Sequence, residues 1–183
     1  MVELAMPIRN IWSLEPGECI TAEKIMEELK DCEIYFPLHD VGIDLLVAKR
    51  DKHIGIQVKE SRYYIGRVWR SGHRGHSWHQ VKEKKFQRDK EKVDFYVFLT
   101  YFPVYGEHKL SYFENKFLVV PSKELEKRMK IKDPGKNRVY SFCFHFEDSK
   151  VWDERVIYKG EYKELMDYSS YLNAWDLLKK ELG

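Results

Sequence analysis

The chain has 183 residues, of which 43% are hydrophobic and 15% aromatic, and its formal net charge at pH 7 is +2. This length and composition predict one compact domain and exclude disorder of the whole chain. The three cysteines form no C-x-x-C pair, no apolar run approaches the ~20 residues of a membrane span, and the first residues lack a secretory-signal pattern. We therefore expect a cytoplasmic protein with no membrane segment, disulfide framework or zinc knuckle.

The first part of the chain is predicted to form a helix followed by short strands. Residues 21–30 (TAEKIMEELK) place Ala22, Ile25, Met26 and Leu29 on one face of a helix that Thr21 can cap. The apolar or alternating runs that follow predict three strands, at residues 33–36, 42–48 and 53–59.

The rest of the chain adds further strands and helices. Residues 61–78 are rich in Gly, Arg, His and aromatics, and we predict a loop or an irregular extension there. The periodic patterns beyond it predict helices at 80–91, after Ser122 and at 168–182, with strands at 93–101, 116–120 and 138–146. The expected fold is an α/β domain with a central mixed sheet flanked by helices. A single domain spans residues 1–183, with its core at about 17–125 and additions at 126–183.

Three polar residues interrupt the apolar pattern of two neighbouring predicted strands. Asp44 lies on one strand, and Gln57 and Lys59 lie on the next, after the short polar turn KRDK. Period-2 alternation puts Gln57 and Lys59 on the same face. If this face also presents Asp44, three polar groups meet in a sheet where unpaired polar groups are costly.

Metal-dependent phosphodiester hydrolysis gives these groups a role. The carboxylate of Asp44, the amide oxygen of Gln57 and the carbonyl of Val58 are hard oxygen ligands of the kind that Mg²⁺, or Mn²⁺ in its place, accepts. Lys59 could orient the attacking water and offset transition-state charge. The alternative is a solvated polar face in which Asp44 and Lys59 form an ordinary cross-strand pair.

The surrounding string PLHDVGIDLLVAKRDKHIGIQVKES resembles the core of the PD-(D/E)XK, or restriction-endonuclease-like, nucleases. It is similar to the branch with a D-x-G-x-D-L element, a hairpin and then Q-V-K-x-S. A charged helix, a V-D-F-Y-V-F strand and an apolar strand ending in P-S follow in the order of that family, so the resemblance covers roughly residues 17–125. It implies a Mg²⁺-dependent endodeoxyribonuclease with Asp44, Gln57 and Lys59 in its site.

The resemblance also implies a glutamate on the first helix that faces the site. The apolar face of that helix places the expected position at Ala22, so the candidates are its neighbour Glu23 and, one turn earlier, Glu18. We favour Glu23, with the alternative that the helix extends back towards Pro16 and Glu18 faces the site. Because Gln57 is neutral where the family usually has an acid, this glutamate matters for the charge of a metal site.

The middle of the chain is basic. From Lys49 to Lys92 there are 14 Lys and Arg against 5 Asp and Glu, whereas the remainder is acidic overall. This asymmetry indicates a polyanionic partner, with a solvated helix face as the alternative. Four arginines that alternate with aromatics after Lys59 are the predicted DNA contacts, with a flexible surface loop as the alternative: Arg62, Arg67, Arg70 and Arg74.

His73, His76 and His79 follow at a spacing of three. This pattern in a predicted loop makes a poor zinc site, and we expect exposed or phosphate-contacting histidines. The leading hypothesis is thus a DNA endonuclease, expected as a homodimer because two cuts in a duplex need two sites related by a two-fold axis. The alternative is a nucleic-acid-binding module on the same fold with weak or no catalysis.

Overall fold

The computed structural model describes residues 14–39, 42–68, 74–105, 110–132, 134, 136–155 and 167–183. Its α-helices are α1 (Pro16–Glu28), α2 (Glu83–Asp89), α3 (Ser122–Ile131) and α4 (Asp176–Leu182). Its strands are β1 (Glu33–Tyr35), β2 (Leu45–Lys49), β3 (Lys52–Val68), β4 (Arg74–Lys82), β5 (Phe95–Tyr105), β6 (Leu110–Pro121), β7 (Val139–Glu147) and β8 (Lys150–Asp153). Short 3₁₀ turns lie at Lys136–Arg138 and Ser169–Tyr171.

The eight strands form one sheet that forks at β3. The first half of β3 lies between β2, which is antiparallel, and β5, which is parallel, while β1 and β6 extend this part of the sheet on either side. Beyond Tyr63 the same strand pairs with β4, which continues through β7 to β8. β3 therefore belongs to both branches, and the space between the branches opens where β3 and β4 part.

Two hydrophobic cores lie on opposite faces of the branch that contains β5. The first core packs α1 and α4 onto the sheet, with Ile25, Val97 and Leu178 fully buried. The second fills the space between the two branches and contains Phe98 and Phe142. Adjacent strand residues point to opposite faces, so Val97 and Phe98 serve different cores. The branch that contains β5 thus has α1 and α4 on one side, and α2, α3 and the second branch of the sheet on the other.

The structure confirms a mixed α/β fold with a mixed sheet and four helices. Leu125 and Met129 are buried on α3, the helix predicted after Ser122. Strands β1, β2, β5 and β7 lie within a few residues of their predicted positions, whereas β3 ends nine residues later than predicted and β6 starts six residues earlier. The C-terminal additions are integral to the fold, because β7 and β8 belong to the sheet and α4 packs in the first core. Within the described residues, the helices are all too short or too polar to cross a membrane.

Several predicted boundaries are wrong. The first helix starts at Pro16 rather than Thr21, because proline suits the first helical turn, where its missing N–H is not needed. The predicted loop at 61–78 is largely strand, and the helix predicted at 80–91 is reduced to α2. The predicted final helix at 168–182 divides into a 3₁₀ turn and α4, and β8 was not predicted.

The pattern of β4 explains why it resembles a loop. Its core-facing residues are Gly75, Ser77, His79 and Val81, so only one of the four is a typical core residue. A strand is usually recognised by apolar residues at every second position. β4 has the burial alternation of a strand without the matching hydrophobicity.

Candidate active site

Asp44 stands directly opposite Gln57 at the entrance to the β2–β3 hairpin. The register pairs Leu45 with Ile56, and the Asp44 N–H donates to the Ile56 carbonyl at 2.8 Å. The Oδ2 atom of Asp44 accepts hydrogen bonds from the Gln57 amide and, at 2.8 Å, from the Val58 N–H. Gln57 is buried, with 2% of its surface exposed. The hairpin therefore fixes the carboxylate against the Gln57-Val58-Lys59 segment.

Lys59 is the cation of this site. Its ammonium donates to the carbonyl of Val58 at 3.0 Å. Burial lowers the pKa of Lys59 from its ordinary 10.5, and the nearby charge of Lys85 acts in the same direction, whereas the carboxylates of Asp44 and Glu18 raise it. The ammonium thus lies among acidic groups from two different elements.

The first helix brings Glu18, not Glu23, to this region. Because α1 begins at Pro16, Glu18 lies within its first turn on the buried face and is only 4% exposed. Glu23 is on the exposed face of the same helix. Glu18 is close enough to influence the pKa of Lys59. Of the two candidates, Glu18 therefore lies near Lys59, whereas Glu23, the one that we favoured, lies on the exposed face.

A glycine allows α1 to approach the site this closely. A Cβ atom at Gly17 would lie 2.4 Å from the Oε2 atom of Glu60 on β3, so a larger residue there would push the start of the helix away. Glu60 is itself held by a hydrogen bond from the hydroxyl of Tyr101. Close packing at this point fixes the position of Glu18 relative to β3.

A cleft of about 480 Å³ opens beside Lys59 where β3 and β4 diverge. β4 pairs with β3 only as far as Ser77, and from there to Lys82 it pairs with β7 instead. The cleft walls carry three lysines and two glutamates, so the cleft is cationic. Its lining consists of Glu15, Val58, Lys59, Glu60, Trp78, His79, Gln80, Lys82 and Lys85.

His79 forms part of the wall behind Lys59 and is uncharged. Its Nε2 atom lies 3.1 Å from the hydroxyl of Ser77 and 3.3 Å from that of Thr100, and its ring contacts Phe98. Burial lowers the pKa of His79 to about 3, and the charge of Lys59 acts in the same direction. The expected exposure is wrong for this histidine, because only 2% of its surface is exposed.

The two described histidines of the triplet, His76 and His79, do not lie together. His76 and His79 lie three residues apart on β4, which places them on opposite faces of the strand. His73 lies outside the described residues. In the described ranges, no three His, Cys, Asp or Glu side chains are arranged to hold a metal ion.

The oxygen donors around Asp44 suit a hard cation that keeps much of its water. The Val58 N–H donates to the Asp44 carboxylate, so this carboxylate and the Val58 carbonyl lie close together. The Gln57 amide adjoins both, with its nitrogen 3.4 Å from the Val58 carbonyl. Mg²⁺ is usually bound by one or two carboxylates, with water and substrate phosphate completing its shell. The donor chemistry therefore fits Mg²⁺, with Asp44 as the one carboxylate inside this group.

Two of the four predicted DNA-binding arginines can be located. Arg62 is exposed, with its guanidinium 4.8 Å from the ring centre of Tyr64. Arg74 is exposed at the start of β4. The side chain of Arg67 and the whole of Arg70 lie outside the described residues. Arg62 and Arg74 thus lie on the outer part of the paired strands β3 and β4 and do not line the cleft.

The aromatic residues of the paired strands β3 and β4 differ in how far they are exposed to solvent. Tyr63 stacks on Phe102 at 4.2 Å, and its hydroxyl lies 3.0 Å from Nδ1 of His145, so it belongs to the second core. Tyr64 is 40% exposed and Trp78 is 51% exposed. Trp78 is the one of these that lines the cleft.

No protein-family model, curated protein or solved structure matches this chain. The site is therefore defined by its own geometry. Sequence patterns identified Asp44, Gln57 and Lys59, which the fold brings together around one hairpin. Trp78 was among the aromatics that alternate with the predicted arginines, but the patterns missed Lys82 and Lys85, which complete the second wall of the cleft. The signal for that wall was the period-2 spacing of Trp78, Gln80 and Lys82, which fits a strand but lay in a segment predicted as loop and helix.

Proposed function

We propose that this chain is a Mg²⁺-dependent endodeoxyribonuclease built on a restriction-endonuclease-like core. One observation carries the proposal: the β2–β3 hairpin holds the Lys59 ammonium in the field of the Asp44 carboxylate, at a cleft that contains two further lysines. A cation, a fixed carboxylate that can hold a metal and a cationic cleft are groups that assist metal-dependent hydrolysis of a phosphodiester.

The order of the elements supports the same proposal. α1 precedes three antiparallel strands, β1 to β3, and the charged helix α2 precedes β5, which is parallel to β3. The motif resemblance implied a helix, the catalytic hairpin, a charged helix and then the V-D-F-Y-V-F strand. The insertion of β4 before α2 does not disturb the pairing of β3 with β5.

Each polar group has a distinct role in this proposal. Asp44 and the Val58 carbonyl would hold the metal, and Gln57 would join them after its amide turns to present the oxygen in place of the nitrogen that faces Asp44. Glu18 would add negative charge nearby. Bound Mg²⁺ supplies a water of lowered pKa and offsets phosphate charge. The ammonium of Lys59 orients the attacking water and stabilises the extra negative charge of the transition state. Lys82 and Lys85 attract the phosphates of the substrate strand.

The decisive experiment is a cleavage assay with a conservative variant. Purified protein should nick plasmid or branched DNA with Mg²⁺ or Mn²⁺, and Asp44→Asn should lower the rate at least ~100-fold, within the range for loss of a key catalytic group. Asparagine keeps an acceptor for Val58, and circular dichroism checks that the fold persists. Asp51→Asn, in the exposed turn of the same hairpin, is the matched control and should cleave normally. Cleavage that Asp44→Asn leaves unchanged would refute the proposal.

A second candidate is a DNA-binding module without efficient catalysis. The observation that favours it is Gln57, a neutral side chain whose amide nitrogen faces Asp44. This candidate predicts DNA binding that weakens with salt, survives Asp44→Asn and occurs without hydrolysis under any divalent metal.

The proposed homodimer is tested separately, by light scattering of the purified chain. A mass of about 44 kDa would support it, since one chain has a mass of 22.1 kDa and a C₂ dimer has two. A monomer mass at assay concentration would refute the homodimer and leave the proposal for the active site unchanged.

A further inference from the structure

One wall of the cleft is a row of side chains on β4. Trp78, Gln80 and Lys82 occupy alternate positions, and all three are exposed, whereas the intervening residues are buried. Alternate residues of a strand lie about 6.6 Å apart, so the row extends roughly 13 Å along the cleft. It presents, in order, an aromatic ring, an amide and an ammonium.

Trp78 is positioned as a platform for a flat ligand. Half of its surface is exposed even though it borders a cleft. Its backbone N–H donates to the hydroxyl of Ser61 at 3.1 Å, which ties this point of β4 to β3. Nucleic-acid bases stack on exposed aromatic side chains of this kind whatever their sequence, because every base has a π-face.

The cations lie at the other end of the row. Lys82 continues the row from Gln80, and Lys85 reaches the cleft from α2, one helical turn further on. Lys59 faces them from β3, while His79 between the strands is neutral because its pKa is lowered to about 3. The positive charge is therefore concentrated opposite the candidate active site, where it can hold phosphates next to Lys59.

The size of the cleft limits what can enter. Its volume of about 480 Å³ lies in the range of ~300–1,000 Å³ that is typical of sites for small ligands. One or two nucleotides fit inside a cleft of this size, which is too small to enclose a base-paired duplex. An aromatic platform inside a duplex-binding cleft would also have no access to base faces, because these are stacked within the helix.

We propose that the cleft binds an unpaired DNA segment, with a base stacked on Trp78 and its phosphates held by Lys82 and Lys85. This inference rests on the proposed function and specifies its substrate class: single strands, flaps, or the unpaired nucleotides of a branched structure. The strand runs along β4 and presents its backbone to Lys59.

Binding measured without metal tests this inference apart from catalysis. Fluorescence anisotropy in EDTA compares a short labelled single strand with a blunt duplex of the same sequence, and an RNA strand of that sequence serves as a further arm. The single strand of DNA should bind at least tenfold more tightly than the duplex. Trp78→Ala should weaken single-strand binding about 5- to 150-fold, the range for loss of one base stack. Trp78→Phe should restore most of the affinity.

The matched aromatic control is Tyr112→Ala on β6, outside the cleft. Tyr112 is 61% exposed, so its removal changes exposed aromatic surface without touching the cleft. It should bind the single strand like the parent chain. An equal loss of affinity in both variants would overturn the inference, as would tighter binding of RNA than of DNA.

The lysines are tested by the dependence of affinity on salt. A lysine that neutralises one phosphate of a single strand contributes about 0.7 to the slope of log K against log salt concentration. Lys82→Ala and Lys85→Ala should each reduce the slope by this amount. Lys84→Ala, an exposed neighbour on α2 that does not line the cleft, should not.

The two proposals fail in different ways. Single-strand binding that depends on Trp78, without cleavage under Mg²⁺ or Mn²⁺, refutes the nuclease and supports the cleft. Cleavage that depends on Asp44, with equal or tighter binding of the duplex or with no effect of Trp78→Ala, supports the nuclease and overturns the inference.

Discussion

The β2–β3 hairpin and the β3–β4 fork supply the two walls of one cleft, yet they differ in how their sequences relate to their structures. The hairpin has apolar residues at alternate positions, with Ile54, Ile56 and Val58 buried in the first core. β4 buries Gly75, Ser77 and His79 at the equivalent alternate positions. The polar exceptions Asp44, Gln57 and Lys59 are visible against the regular hairpin pattern. β4 has no regular apolar pattern against which a polar residue would be noticed.

This difference separates two kinds of functional residue. Gln57 and Lys59 lie on β3, which both branches share, and Asp44 accepts a hydrogen bond from Val58 of that strand. A shift of the hairpin would therefore disturb the core. The proposed substrate contacts lie on the exposed face of β4, where side chains can change without altering the packing. The predictions below test whether the hairpin controls chemistry while the fork controls binding.

The largest expected effect in this set concerns α1. Glu18→Gln should lower the cleavage rate about 10- to 100-fold, the usual cost of removing a supporting group next to a metal site. Glu23→Gln on the exposed face of the same helix should have no effect. Single-turnover cleavage with saturating DNA is the measurement. A larger reduction from Glu23→Gln than from Glu18→Gln would show that Glu23 is the glutamate that supports the metal site.

The pH dependence of cleavage tests the electrostatic connection between the two walls. Lys59 acts as an ammonium, so activity should fall as the pH rises through its pKa, which burial places below the ordinary 10.5. Lys85 lowers this pKa and Glu18 raises it. Lys85→Ala should therefore move the alkaline limb to higher pH, and Glu18→Gln should move it to lower pH.

Rate–pH profiles from neutral pH to 10.5 measure both shifts, with Lys84→Ala as the control that leaves the limb in place. Movement of the limb in the same direction in the two variants would contradict the assignment of the limb to Lys59.

The smallest effect concerns His79, whose role in the fork is structural. Its pKa is about 3 in the fold against 6.5 for an unperturbed histidine. Between these values the unfolded chain binds a proton that the folded chain does not, so the free energy of unfolding falls as the pH is lowered through that window. One fully titrating group contributes about 1.4 kcal/mol per pH unit.

Urea unfolding of His79→Gln should therefore show a weaker acid dependence than the parent chain between pH 6.5 and 3. His53→Gln, at an exposed histidine on β3, is the matched control for the substitution. An identical acid dependence in parent and His79→Gln would mean that His79 is protonated in the folded state.

Sequence patterns were sufficient for the helix–sheet architecture, because long-range packing reinforces the apolar periodicity of strands such as β5. The patterns also singled out Asp44 and Lys59, because these polar residues interrupt a regular apolar pattern. They favoured Glu23 over the buried Glu18 because the start of α1 is set by Pro16 and by the contact of Gly17 with Glu60. A contact between residues 43 positions apart has no local signature. The fork was missed because β4 takes its pairing from β7, which lies far along the chain.

The most direct test of the account is a crystal structure of the chain with Mn²⁺ and a short single-stranded oligonucleotide. Anomalous scattering locates Mn²⁺ independently of the rest of the density. We predict a Mn²⁺ peak next to the Asp44 carboxylate and the Val58 carbonyl, a phosphate beside Lys59 and a base on Trp78. A bound oligonucleotide with no Mn²⁺ at Asp44, or with its scissile strand away from Lys59, would contradict the account.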